Sequence, residues 1–392
     1  MSGLGDESDF LLSISISIKN KHPKEVKMAE LRVKVTGIEF RNPVLTAAGP
    51  NVRNGEMMLK AFEGGAGGVV AKTVSVRPAR DTRPTIRKTV CRGLVNCETW
   101  SELPFEAMLE EYRKVKDAGI PLIVSIGYTP KDMRQLGPII EREVEPDAIE
   151  FSTHYSGRSV EPLVEVAKAL RESVNLPIWM KISPNLPDIE ELAVKASPFV
   201  DAFVAINSYG PVLDFDVETG EPILGSEYGQ GWLSGQAILP IALRIVHQVT
   251  SVQAKPVIGV GGIERGKDAI KFFMVGASAV QICSAAIRYG HSIYGKVAKE
   301  IEKWLDEHGF SSVDEVRGLF KEKLKSRKKF DGIPVMHIEE SKCTGCKLCV
   351  RACVHSALYM DGDVAKVIPE NCIGCGYCQD MCNFGAMWLV ER

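Results

Sequence analysis

Pro177-Ile-Trp-Met-Lys-Ile-Ser183 and Asp201-Ala-Phe-Val-Ala-Ile-Asn-Ser208 are short runs, nearly continuous in hydrophobicity, separated by a polar amphipathic stretch. Parallel strands covered by helices on both faces read this way. Working outward, the same unit recurs upstream as PVLTAAG (43–49), GGVVAKTV (67–74), PLIVSIG (121–127) and DAIEFST (147–153). Downstream it recurs as PVIGVGG (256–262) and AVQICSA (279–285), with helical segments such as Glu102–Ala118 and Ile238–Val249 between runs. Eight strand–helix units in roughly 250 residues is the size of a closed (β/α)8 barrel. The expected class is therefore α/β, a TIM barrel; an open doubly wound sheet is the alternative, and eight regular units suit closure better.

The boundaries follow from where this pattern starts and stops. Residues 1–27 precede the first convincing strand and are expected to be an extension without assigned function, residues 28–308 the barrel, 309–332 a helix and charged linker, and 333–392 a second, small domain. Leu11–Ile18 is apolar but short, follows acidic residues and lacks a small-residue cleavage site, so a secretory signal is not expected. No run of 18 apolar residues occurs, which argues against a membrane span. A formal net charge of −2 without a basic stripe gives no support for nucleic-acid binding.

Eight of the 11 cysteines fall between Cys343 and Cys382. They form two copies of C-x2-C-x2-C-x3-C: Cys343, Cys346, Cys349 and Cys353, then Cys372, Cys375, Cys378 and Cys382. In a reducing cytoplasm this spacing speaks for metal rather than disulfides. A cubane cluster needs four converging thiolates; three closely spaced cysteines wrap one face while the fourth comes from the other copy. The expected ligand sets are Cys343, Cys346, Cys349 and Cys382 for one 4Fe–4S cluster, and Cys372, Cys375, Cys378 and Cys353 for the other. Gly345, Gly374 and Gly376 would let backbone amides approach the sulfurs. Over about 55 residues this segment resembles bacterial-type two-cluster ferredoxins, a small α+β fold, although Val354 and Asn383 stand where a proline usually follows the fourth cysteine.

Barrel active sites lie at the C-terminal ends of the strands. Lys72-Thr73, Lys181, Asn207-Ser208, Gly261-Gly262 and Cys283-Ser284 occupy such places, and the late glycines would expose amides to a phosphate. Gly259-Val-Gly-Gly262 is a poor dinucleotide fingerprint, because it sits late in a barrel series rather than opening a βαβ unit. The chain itself is not expected to bind NAD.

Asn42-Pro43 with Ala47-Ala48-Gly49, Ala71-Lys72-Thr73, Gly93-Leu-Val-Asn96, Lys181-Ile-Ser-Pro-Asn185, Gly231 to Gly235 and Gly259-Val-Gly-Gly-Ile263 recur in an order that resembles the class 1 dihydroorotate dehydrogenase and dihydropyrimidine dehydrogenase family. A barrel followed directly by a two-cluster domain is most similar to the pyrimidine-reducing members. The resemblance implies FMN in the barrel, with Ala48, Gly49, Lys72 and Thr73 against the ring, Lys181 at its polar edge, and Gly235, Gly261, Gly262 and Ser284 at the phosphate. It implies that Asn96 and Asn207 hydrogen-bond a planar substrate, with Ser152 and Ser208 beside them.

After the fourth strand the family carries Asn-x-Ser and then a Cys or Ser that exchanges the substrate proton. Here Ser152-Thr-His-Tyr155 stands instead, with Ser152 in the asparagine's place and Tyr155 in that of the base. His154 has a suitable ordinary pKa for the proton transfer, and Tyr155 could act as an acid. Both are candidates, as is a merely loop-shaping role; Lys72 joins them as a catalytic cation. Cys97 is a weaker candidate thiol, while Cys91 and Cys283 read as ordinary small residues.

The expected function is an oxidoreductase acting on a C–C bond of a dihydropyrimidine- or dihydroorotate-like ring at FMN, passing electrons through two 4Fe–4S clusters. The outside partner would be a soluble ferredoxin or an NAD(P)-binding flavoprotein subunit, in a homodimer or hetero-oligomer. The alternative is an electron-transfer subunit of a larger complex without pyrimidine activity of its own.

Overall fold

A computed structural model describes residues 28–152, 157–327 and 329–392. They fall into two compact units, one ending at Glu322 and the other beginning at Lys323.

Eight parallel strands form the centre of the first unit: β1 (Val44–Thr46), β2 (Val69–Val70), β3 (Leu122–Ile126), β4 (Ala148–Ser152), β5 (Ile178–Ile182), β6 (Ala202–Ala205), β7 (Val257–Val260) and β8 (Ala279–Ile282). From β2 to β8 each strand pairs with the next in sequence, and β8 returns to β1. Between β1 and β2 the ring closes through a few bonds: Gly67 N donates to Val44 O at 2.7 Å and the Thr46 hydroxyl to Val70 O at 2.8 Å. This is the TIM barrel expected from the sequence.

The strands are buried throughout, as their unbroken hydrophobicity requires. Amphipathic helices cover them. In Pro130–Val144, the Thr129 hydroxyl accepts from Asp132 N while the Asp132 carboxylate accepts from Thr129 N, a reciprocal cap that fixes where the helix starts. The lower mouth is plugged by a hairpin, Val33–Val35 paired with Ile38–Phe40. There the Trp179 indole donates to Thr36 Oγ1 at 3.0 Å and its ring meets Phe40. With that end stoppered, the strand C-termini are the open face.

Over the open face lies a four-stranded antiparallel sheet, in the order Tyr209–Leu213, Gln230–Gly235, Gly93–Asn96, Ile86–Lys88, which the sequence reading did not anticipate. First-unit packing continues past residue 308: Val313 and Val316 are buried in the barrel's core, and Gly318 N donates to Phe273 O.

The second unit is built from two similar halves. Val335–Ile338 pairs with Met387–Val390, and Leu358–Asp361 with Val364–Val367, both antiparallel. Short helices, Leu348–Ala352 and Tyr377–Asp380, follow the second cysteine of each motif. Met336, Leu358, Ala365, Ala386 and Met387 form a small core with Cys349 and Cys378. So small a core suits a module that relies on metal for part of its stability.

Candidate active site and cluster module

A cavity with about 950 Å³ of empty space, counted to its mouth, opens at the C-terminal ends of the strands. Ala48, Gly49, Lys72, Asn96, Lys181, Asn207, Ser208, Gly235, Gly261, Gly262 and Ser284 all line it, brought together from strand ends and the overlying sheet. Two expected residues take supporting places. Thr73 is buried with its hydroxyl 2.9 Å from that of Ser125, and Ser152 is buried with its hydroxyl accepting from Asn207 Nδ2 at 2.9 Å. His154 and Tyr155 lie outside the described residues.

The two lysines enter the cavity on buried strand ends, so each needs a counter-charge. Lys72 Nζ has Glu98 Oε2 at 3.3 Å, and Lys181 Nζ has Glu150 Oε1 at 3.5 Å. Glu150 is fully buried, and its other oxygen accepts from Gln281 Nε2 at 2.8 Å. Asn207 is fixed from two sides, since Oδ1 accepts from Ser208 N while Nδ2 serves Ser152. Asn96 donates to Trp232 O at 3.2 Å across the covering sheet.

Burial in the cavity wall pushes the Cys283 thiol up to about 11, against the pull of Lys181 and Lys72. It donates to Asn51 Oδ1 at 3.4 Å and stays a neutral thiol at ordinary pH.

These residues fit a flavin mononucleotide. Gln281 Oε1 is buried at the cavity wall without a hydrogen-bond partner among the described residues. Gly235, Gly261 and Gly262 have φ of +84°, +132° and +78°, and a Cβ on Gly262 would come within 2.8 Å of Leu239 Cβ. That backbone leaves room for a phosphate to approach amides, with Ser284 beside it.

In the second unit, Cys343, Cys346, Cys349 and Cys382 line one cavity of about 380 Å³, counted to its mouth, so the fourth cysteine of the second motif joins the first three of the first. The halves match closely. Ala357 N donates to Cys353 Sγ and Ala386 N to Cys382 Sγ, each at 3.3 Å. Gly345 and Gly374 have φ of +67° and +68°, and Lys347 and Gly376 repeat a left-handed turn two residues later.

A family model described as "Dihydroorotate dehydrogenase" matches residues 30–305. The chain belongs to the dihydroorotate dehydrogenase family. It is an FMN-type oxidoreductase acting on CH–CH groups. It is 35% identical over 299 residues to a "Dihydroorotate dehydrogenase B (NAD(+)), catalytic subunit" of Pyrococcus furiosus, a match covering 74% of this chain and 98% of that protein. Proteins of the same description from Methanothermobacter thermautotrophicus and Methanosarcina mazei are each 34% identical, covering 74% and 76% of this chain and 98% of each relative. About a quarter of the chain therefore has no counterpart in them. A second model, "4Fe-4S dicluster domain", matches residues 342–386, so a dihydroorotate dehydrogenase-family barrel here carries a ferredoxin-type iron–sulfur domain. No described helix is long and apolar enough to cross a membrane.

Sequence reasoning missed Glu98, Glu150 and Gln281. Two of them left a legible signal, since Glu150 in DAIEFST and Gln281 in AVQICSA are polar residues inside otherwise apolar strands. Such residues point into a barrel only when something there pairs them. Glu98 left none, because it comes from a loop after a strand of the covering sheet.

Proposed function

We propose that this chain oxidises or reduces a C–C bond of a cyclic, dihydropyrimidine- or dihydroorotate-like substrate, with two 4Fe–4S clusters serving the same redox chemistry. The observation that carries the reading is the joint placement of Lys72, Lys181, Asn96, Asn207 and the Gly261-Gly262 turn around one cavity. FMN, when bound, supplies the hydride acceptor or donor, and the clusters supply one-electron carriers.

The chain's own residues bind, orient and exchange the proton. Amides at Gly235, Gly261 and Gly262, with Ser284, hold the phosphate, and Ala48 and Gly49 leave a flat wall for the ring. Lys181 presents a cation held in place by Glu150, favouring negative charge nearby. Asn96, Asn207 and Ser208 orient the substrate's amide groups, with Ser152 holding Asn207. Lys72 adds the second cation. His154 or Tyr155 exchanges the substrate proton. In the cluster domain, Cys343, Cys346, Cys349 and Cys382 hold one cluster and Cys372, Cys375, Cys378 and Cys353 the other. The outside electron partner is a soluble ferredoxin or an NAD(P)-binding flavoprotein subunit in a hetero-oligomer; a homodimer and a reducing, cytoplasmic setting complete the reading.

Anaerobic absorption spectroscopy of the purified chain during titration with dihydrouracil, dihydrothymine and dihydroorotate tests this. Bleaching of flavin and cluster bands by one of them is expected. Bleaching by dithionite alone overturns it and favours the electron-transfer subunit, a reading motivated by the altered Ser152–Tyr155 segment.

A further inference from the structure

Among the described residues the cavity is lined by two lysines, and both already face carboxylates. Lys72 Nζ lies 3.3 Å from Glu98 Oε2, and Glu98 itself lines the cavity. Lys181 is paired with Glu150 behind the wall. Glu98 and Thr99 also line a second, neighbouring cavity bordered by Trp100, Tyr128 and Trp232. No lysine or arginine is among its described lining residues; the charged ones are Glu98 and Asp132. The Trp100 and Tyr128 rings stand 5.3 Å apart, and Thr99 is held from outside by Asp81, which accepts from its amide at 3.0 Å and its hydroxyl at 2.7 Å. This side of the site is aromatic and acidic.

We infer that the substrate is an uncharged ring and that Glu98 is the residue that turns carboxylate-bearing rings away. The inference rests on the reading of the cavity as the place where the ring binds. A substrate carboxylate reaching for Lys72 must compete with Glu98 or lie beside it, and like charges in a part-buried site repel with little screening. An uncharged cyclic amide meets no such penalty. Its ring N–H groups are donors, and Glu98 offers a carboxylate to accept one while still neutralising Lys72. The aromatic walls favour a flat, neutral face in the same way. Discrimination thus comes from a repulsive element built into the site as well as from attraction to the right ring.

The test is equilibrium binding to the full, flavin-loaded, oxidised chain, read by perturbation of the flavin absorption with uracil and with orotate, two flat rings of which the second carries a carboxylate. Wild type is expected to bind uracil about tenfold or more tightly than orotate. Glu98→Gln keeps the shape and removes the charge, and should move the uracil-to-orotate ratio about tenfold toward orotate. Orotate bound by wild type as tightly as uracil overturns the inference and leaves the family's ring site standing, as does a ratio untouched in a folded Glu98→Gln protein. Binding of neither ring by flavin-loaded wild type overturns both the inference and the reading beneath it.

Discussion

Glu150 and Lys181 meet from neighbouring barrel strands, Oε1 to Nζ at 3.5 Å, with side chains 0% and 7% exposed. Glu150 lies opposite Trp179 in the register of β4 and β5, Lys181 lies two residues beyond it, and Trp179 itself meets the plug of the lower mouth. The pair therefore marks the level at which the barrel changes from packed core to working site.

Breaking that pair on one side should be costly. Glu150→Gln in flavin-free protein leaves Lys181 charged, buried and without its counter-ion, and a loss of roughly 3–5 kcal/mol is expected. Urea unfolding measures it. The double variant Glu150→Gln with Lys181→Met should lie closer to wild type than either single one, since it removes both charges. A double variant as unstable as the two single losses added together would contradict the pairing.

Cysteine replacements sort the ligands into sets. Cys343→Ser and Cys382→Ser should each lower iron content by about half, and together lose little more, because both serve one cluster. Cys343→Ser combined with Cys353→Ser should abolish nearly all iron. Equal losses from both double variants would dissolve the proposed sets.

The thiol of Cys283 gives a pH signature. Its folded value is raised to about 11, from an ordinary 9.0, so below pH 9 it is protonated in both states and contributes no slope. Between 9 and about 11 the unfolded chain ionises first, and stability falls as pH rises. Cys283→Ala should flatten that part of the urea-midpoint profile in flavin-free protein. Alkylation of Cys283 by iodoacetamide should be slow at neutral pH and accelerate through the same range.

Gly262 has φ +78°, and an added Cβ would sit 3.0 Å from Gly235 O and 2.8 Å from Leu239 Cβ. Gly262→Ala distorts the phosphate turn, with strain of roughly 1–3 kcal/mol. Flavin should be retained about tenfold more weakly, read as flavin-to-protein ratio after gel filtration and by FMN titration. Undiminished flavin would place the phosphate elsewhere.

The barrel was legible because each strand is short, β-branched and buried on both faces, so local hydrophobicity and final position agree. Val69–Val70 shows the limit. GGVVAKTV reads as one run, yet only two residues pair as strand before the chain carries Lys72 into the cavity. The covering sheet was not legible for a different reason. Tyr209–Leu213 is exposed at every other residue and pairs with Gln230–Gly235 across an irregular register, and Gln230–Gly235 finds its other partner, Gly93–Asn96, far back along the chain. Lys72 and Lys181 could be placed from sequence and Glu150 stood out as a polar residue in an apolar strand, whereas Glu98 left no signal and neither pairing was legible, since a counter-ion is defined by proximity in space.

In the cluster domain, Val335–Ile338 finds its partner in Met387–Val390. Translation makes the first of these strands some fifty residues before the second, with every cysteine of both motifs lying between them in the chain. Val335–Ile338 has this one ladder partner among the described residues, so the pairing ties together the two ends of the cysteine-bearing segment. Removing Met387–Val390 would therefore leave Val335–Ile338 without its ladder and untie the ends of the segment that carries both cysteine motifs.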